Sequence, residues 1–327
     1  MITRKTKRAA AALSAALLAG AALAACSSSN SSSGSGGSNP LGGGAQPTGS
    51  IVVGSDNFPE SELLADIYGQ ALAAKGYNVS YKLDIASREV TYGLLKAGTI
   101  TMKPEYNGAL LAYLDSIQSP KANNPQTSTE QVDAAIAKEL DANLKVLDPA
   151  TAQDNDTLTL SKNEADKLGL KTGASIADFI TAVKGGSVTI GAAPEFQTRY
   201  QGILGLEQAY GLKASQINFK SLDAGGTLTE TALTSNAVDA GDLFTTDPTI
   251  TQGGLLTLTD PKNIFGLQNV LPLVNKTAIN ASGIAALNAV DAKLDSKTLL
   301  DLDVKTQVNK ADPKTVAHDW LKAQGLI

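Results

Sequence analysis

The residues best suited to chemistry lie in Glu195-Phe-Gln-Thr-Arg199, within Gly191-Ala-Ala-Pro-Glu-Phe-Gln-Thr-Arg-Tyr-Gln-Gly202. An apolar run, Val188-Thr-Ile190, precedes this stretch and a helix-like run ending at Tyr210-Gly211 follows it. Arg199 is therefore expected on a loop at the carboxyl end of a strand, where open α/β sheets bind ligands. A guanidinium there offers a rigid fork of five donors and stays charged at any working pH, so it can hold a carboxylate bidentately. The competing reading is a loop arginine that merely pairs with a neighbouring acid such as Glu195. Catalysis is short of parts. The single histidine, His318, sits in the apolar-periodic run Val316-Ala-His-Asp-Trp320-Leu321, away from every candidate cleft loop, which suits a surface or packing role better than a general base. There is no G-x-S-x-G elbow, no phosphate-binding G-x-x-x-x-G-K-[ST] loop and no His/Cys cluster of zinc-binding spacing. Asp56 with Glu195 or Asp242 could do acid/base work, but as a polar lining of a cleft the set needs no further machinery. Asp154 and Asp156 lack the glycine and terminal Glu of a calcium loop and read as hinge or turn residues. We expect no enzyme activity, no cofactor and no metal.

The elements that must position these groups are legible in order. Ile51-Val-Val53 reads as a buried strand, followed by the loop Ser55-Asp56-Asn57-Phe58. Pro59 suits a first helical position, and the apolar spacing predicts a helix over 60–75, closed by Gly76. Val79–Leu83 alternates like a strand, Ser87 is a candidate cap for a helix over 88–97, and Ile100-Thr-Met102 reads as a third strand with Lys103–Gly108 as its exit loop. Alternating strands and helices imply a parallel sheet with right-handed crossovers. A polar loop at 120–129 leads to a capping box, Ser128 with Gln131, and a strand follows at 144–147. Residues 152–156 read as a crossing to a second sheet that starts at Thr157-Leu-Thr-Leu160, with Ser161/Glu164 and Ser175/Asp178 opening two helices. Strands are expected at 217–219 and 238–244, around a helix over 227–235. The remainder has strand-like 255–258 and 270–274 and three helical runs, best placed packing back on the first lobe. Asp84-Ile-Ala-Ser87 and Asp223-Ala-Gly-Gly-Thr227 form a weak internal echo, each a small-residue turn before a helix whose free N–H groups can receive an anion or a carbonyl.

Composition places limits on partners. The chain has 327 residues, with 43% hydrophobic and 18% charged, as a globular protein of one large or two medium domains should. Residues 1–25 read as a secretory signal, with Arg4, Lys5, Lys7 and Arg8 before an apolar run that ends at Leu23. Leu23-Ala-Ala-Cys26 resembles a bacterial lipobox, which makes Cys26, the only cysteine, a lipidation site. No intrachain disulfide is possible. Residues 26–50 form a Ser/Gly-rich tether whose r.m.s. span would be about 27 Å. Loss of the signal removes four basic residues and leaves 23 against 32 acidic ones, a balance that argues against nucleic acid as partner.

Taken in sequence, Ile51–Glu60, Ser87-Arg-Glu-Val90, Pro104-Glu-Tyr-Asn-Gly108, Pro194–Arg199 and Phe244-Thr-Thr-Asp247 resemble the osmoprotectant-binding lipoproteins of ABC importers, the glycine betaine, carnitine and choline group. The resemblance implies an α/β, type II periplasmic-binding fold: two α/β lobes, a double crossover and a ligand cleft. Lobe 1 would comprise 51–154 plus 247–327, and lobe 2 would comprise 155–246. It also implies delivery of a small solute to a membrane permease driven by a cytoplasmic ATPase, by a monomer held to the extracytoplasmic face of the membrane through Cys26. In that family an arginine matching Arg199 grips the ligand carboxylate, helped by residues at the positions of Asp56 and Asn107, and an aromatic cage holds the quaternary ammonium by its ring faces. The cage positions read Pro104, Leu158, Phe244 and Gln268, so only Phe244 is aromatic. Phe58, Tyr106, Phe196 and Phe265 are candidates to rebuild a cage. The expected ligand-binding set is Asp56, Asn57, Phe58, Tyr106, Asn107, Glu195, Arg199, Phe244, Thr246, Gln268 and Asn269, with Gln268 and Asn269 supplying amides. Asp56 in place of a donor favours a choline-like or amine-bearing solute over glycine betaine. A lipid-anchored sensor on the same body, or a binder of another polar solute, is the alternative.

Overall fold

The computed structural model describes residues 49–118 and 128–327, all within one compact unit, Ala45–Ile327. The signal, Cys26 and nearly all of the tether lie outside the described residues, as does most of the 120–129 loop. Two five-stranded sheets carry the fold, with strand orders β2-β1-β3-β10-β4 and β7-β6-β8-β5-β9. The first lobe opens with β1 (Ser50–Gly54), α1 (Pro59–Ala73), β2 (Asn78–Lys82), α2 (Arg88–Lys96), β3 (Met102–Tyr106), α3 (Asn107–Gln118), α4 (Thr129–Glu139) and β4 (Leu144–Val146). The second follows with β5 (Asp156–Leu160), α5 (Lys162–Leu168), α6 (Ile176–Val183), β6 (Val188–Ala192), α7 (Gly205–Gln208), β7 (Ile217–Ser221), α8 (Thr227–Thr234), β8 (Ala240–Phe244), α9 (Pro248–Gln252) and β9 (Leu256–Thr257). The chain then returns to β10 (Val270–Asn275), α10 (Ala281–Asp291), α11 (Ser296–Asp303) and α12 (Pro313–Ala323).

The two sheets share one plan. β1 lies parallel between β2 and β3, and β6 lies parallel between β7 and β8. Beside β3 and β8 stands a strand that has just crossed from the other lobe and runs antiparallel, β10 in one sheet and β5 in the other. Apolar faces explain the layering. Leu63, Leu64, Ile67 and Leu72 of α1 bury against Ile51 and Val53, with Leu287, Leu299, Trp320 and Leu321 of the last three helices completing that core. The carboxy-terminal helices do pack back on the first lobe. Leu158, Leu160, Ile190, Phe179 and Phe196 centre the core of the second lobe.

Several local expectations change. β3 runs through Lys103–Tyr106, where an exit loop was expected, because β10 pairs along it and Pro104 faces Pro272, so the two missing N–H groups fall opposite one another. β9 pairs with β5 in the second sheet, so 255–258 belongs with lobe 2 and the return to lobe 1 falls after it, not at 247. The run after Arg199 is not one helix: Gln201 and Gly202 leave helical geometry before α7. Ser87 precedes α2 without capping it, since its hydroxyl bonds Glu89 instead, whereas Ser161 caps α5 and Ser175 with Asp178 forms a full capping box on α6.

Candidate functional site

Arg199 follows β6 through a tight turn at Pro194–Gln197, with its backbone N–H bonded to Glu195 O at 3.1 Å. Its guanidinium turns into the space between the sheets. Nη2 donates to Asp156 Oδ1 at 3.1 Å and, more weakly, to Asp242 Oδ2 at 3.4 Å, and the group lies 5.6 Å from the centroid of Phe196. The side-chain partner is thus not Glu195, the acid nearest in sequence. Antiparallel pairing of Leu158 with Asp242 and of Asp156 with Phe244 sets these carboxyls on one face of the sheet. Arg199 Nε and Asp242 Oδ1 are buried without a partner. Burial lifts the Asp242 carboxyl well above the carboxylate range and the adjacent Asp156 lifts it further, against the opposing pull of Arg199. Burial works against the Arg199 charge, but Asp156 and Asp242 outweigh it and hold the proton more firmly.

The facing wall is a chain of charges built on β1, α2 and β3. Lys103 is fully buried, and its ammonium bonds Asp56 at 2.7 and 2.8 Å, Thr91 at 2.9 Å and Glu105 at 3.1 Å. Arg88 Nε in turn donates to both oxygens of Glu105, at 2.9 and 3.1 Å. Strand alternation places Lys103 and Glu105 on one side of β3 and Met102 and Tyr106 on the other. Burial alone would raise the Glu105 carboxyl, yet Arg88 and Lys103 bring it down to about 2. Asp56, expected to attract a cationic solute, is taken up by Lys103 and Thr91.

Between the walls a cleft is lined by Asp56, Asn57, Phe58, Tyr106, Glu195, Arg199, Phe244 and Gln268, eight of the eleven expected residues. Three rings converge: Phe58 lies 6.0 Å from Tyr106 and 5.3 Å from Phe244 between centroids, joining rings of both lobes. Gly225, in the left-handed region at φ 63°, lets its loop lie against the Phe244 ring, where a Cβ would come within 2.6 Å. Gln268 donates to Asp156 Oδ2 at 3.2 Å and accepts from Ala109 N at 2.7 Å. A direct tie spans the gap, from Gln201 Nε2 to Gly108 O at 3.1 Å.

A family profile described as the substrate binding domain of ABC-type glycine betaine transport systems matches residues 49–323. The chain belongs to that family. It is a substrate-binding protein of ABC transport, not an enzyme. The glycine betaine-binding protein YehZ of Escherichia coli K12 is 29% identical over 288 residues, covering 86% of this chain and 92% of that one. The glycine-betaine-binding protein of Pseudomonas aeruginosa PAO1 is 25% identical over 290 residues, covering 85% and 89%. A solved structure of apo YehZ from E. coli superposes with a TM-score of 0.56 at 26% identity, covering 85% of this chain and 99% of that one.

Three residues expected to touch the ligand stand elsewhere in this binding protein. Asn107 is fully buried and spends its side chain on Gly108 N, Asn269 N and Asp133; Asn269 bonds Thr129 and the Ala150 carbonyl; Thr246 reaches Glu60. Phe196 and Phe265 stack on each other in the second core, 6.4 Å apart, and do not line the cleft. The turn before α8 does not keep its N–H groups free, because Asp223 accepts from Leu228 N and Thr229 N at 2.9 Å each. His318 is half exposed on α12 beside Asp319. Arg88, Asp154 and Asp156 line the cleft without having been expected there. Asp156 was within reach of the sequence, since it opens a strand next to a crossing point. Arg88 lay in one of the motifs that carry the family resemblance, but nothing in its local pattern aimed it at the cleft.

Proposed function

We propose that the protein captures a small quaternary-ammonium solute bearing a carboxylate, of the glycine betaine class, and hands it to an ABC permease coupled to a cytoplasmic ATPase. The observation that carries this reading is the pairing, in one cleft, of the under-satisfied Arg199 fork with the ring trio Phe58, Tyr106 and Phe244. The carboxylate would meet Arg199 Nε and the free edge of the guanidinium, and the methylated ammonium would lie against ring faces, which attract a cation unable to donate hydrogen bonds. Neutralisation of Asp56 by Lys103 removes the reason to favour choline. Asn57 adds a polar group at the edge of the cleft.

The same reading makes Cys26 the lipid anchor and places the body, as a monomer, on the extracytoplasmic face. Isothermal calorimetry against glycine betaine, choline, carnitine, proline and a simple sugar tests the ligand. Glycine betaine should bind more tightly than choline, and silence across the whole panel would end the proposal. Metabolic labelling with a fatty acid, lost in Cys26→Ser, tests the anchor.

A further inference from the structure

Three carboxyl groups lie together where the crossovers meet the first lobe, outside the charge chains that line the cleft. Glu60 in the first turn of α1, Asp154 between β4 and β5, and Asp303 at the end of α11 are each at most 4% exposed. Thr246, on the chain leaving β8, links two of them: its hydroxyl donates to Glu60 Oε2 at 2.6 Å and its N–H to Asp154 Oδ1 at 3.0 Å. Tyr106, whose ring lines the cleft, donates its hydroxyl to the other Glu60 oxygen. Asp303 accepts from Gln307 Nε2 at 3.0 Å, and its Oδ2 is buried without a partner. A small hollow bordered by Glu60, Asp154, Thr246, Asp247 and Gln307 adjoins the cleft, and the two share Phe58, Asp154 and Phe244.

The charge balance of this cluster is unusual. The groups facing the three carboxyls are Tyr106 of β3, Thr245 and Thr246 after β8, Gln307 after α11 and a further carboxyl, Asp247, itself held by Thr249 N. Among the described residues no lysine or arginine pairs with Glu60, Asp154 or Asp303, and no group of three or more His, Cys, Asp or Glu is arranged to hold a metal ion. Three adjacent buried carboxylates without a counter-cation cannot all stay ionised.

We propose that Glu60, Asp154 and Asp303 hold shared protons that lock the crossovers to the first lobe in the closed state, so that proton loss opens the cleft. In the open form of this proposal Thr246 draws away from Glu60, water reaches the cluster and its carboxyls return to ordinary acidity. Burial pushes all three carboxyls up in this structure, Asp303 raises Glu60 further and Glu60 raises Asp154, while Asp303, raised by Asp154 but held back by Glu60, reaches about 7. A carboxyl raised in the closed form above its open-form value of about 4 favours closure most at low pH. That advantage falls as pH climbs from about 4 and is gone once pH passes the closed-form value, about 7 for Asp303. Closure takes protons up from solvent, and opening returns them.

The lock depends on the solute-binding reading only for what it releases, so the test begins without solute. Spin labels at Val90→Cys on α2 and Leu228→Cys on α8, both exposed and each within four residues of the cleft lining, are introduced into the full chain carrying Cys26→Ser. Pulsed electron resonance should give a short inter-label distance at about pH 5.5 and a longer one at about pH 8.5, the two sides of the transition. Glu60→Gln and Asp303→Asn, neutral stand-ins for the protonated forms, should each reduce the lengthening between the two pH values, and the double variant should reduce it more; either single variant suffices should the other not fold. A parent distance that ignores pH, or a lengthening that persists unchanged in the variants, overturns the lock. In a second arm, glycine betaine affinity should weaken by up to about tenfold per pH unit per linked proton, with buffer-dependent binding heat. Absence of glycine betaine binding would defeat the ligand assignment and leave the outcome of the spin-label measurement unaffected.

Discussion

The two walls of the cleft use similar residues to opposite ends. On the first lobe, Lys103, Asp56, Glu105 and Arg88 form a closed set of two cations and two anions in which each charge has a partner within 3.1 Å. On the second lobe, Arg199 faces Asp156 and Asp242 with an excess of acid, a longer contact of 3.4 Å, and orphaned Arg199 Nε and Asp242 Oδ1. A balanced buried network holds elements in register and has nothing left to offer a solute. An unbalanced one is incomplete until something else arrives. Charge in a cleft therefore indicates binding only where its hydrogen-bonding capacity is unused.

The contrast can be broken most forcefully at Lys103. Lys103→Met strands the buried Asp56 carboxylate and leaves Glu105 to Arg88 alone, and should destabilise the fold by about 3–5 kcal/mol in denaturant titration; a loss below about 1 kcal/mol would show that this wall is not structural. The same network carries a sign in pH. Glu105 is depressed to about 2 from an ordinary value near 4.5, so its stabilisation is present above about 4.5 and disappears as pH falls through about 2. Acid unfolding of Glu105→Gln should therefore be flatter than that of the parent in that window. On the other wall, Arg199→Ala should leave the fold standing and weaken glycine betaine by about 100-fold in calorimetry, near 2.7 kcal/mol. Arg199→Lys should recover little, because the ammonium lacks the fork. Phe244→Ala should cost about tenfold for a methylated ammonium, and less for proline, since one of three rings is lost. Asp242→Asn should change affinity by less than about threefold, because burial and the adjacent Asp156 already disfavour the charged form of that carboxyl; a large effect would mean that Asp242 meets the solute as an anion.

Much of this arrangement was legible in the chain. Apolar Val188-Thr-Ile190 followed by Pro194 and a glycine-bounded run placed Arg199 at a strand's carboxyl end, and periodicity with caps at Ser161 and Ser175 drew most helices. What escaped depended on register between distant strands. Asp56 and Lys103 lie 47 residues apart and meet only because β1 and β3 run side by side, so Asp56 looked unattended. Lys103-Pro-Glu-Tyr106 read as a loop because its charges and proline are satisfied by neighbours that no local pattern announces. β9 is two residues long, too short to show which sheet claims it. The ring trio draws on three separate elements, and Phe196, equally suggestive on paper, was taken by the core.

The central position of β10 has a consequence for how the molecule is made. Its residues, 270–275, insert between β3 and β4, which do not touch without it. The amino-terminal half therefore cannot complete its sheet during synthesis until the whole intervening lobe has left the ribosome, a long-range closure that slows folding. A chain delayed in this way stays threadable for longer, the condition that a translocation pore imposes on its passengers.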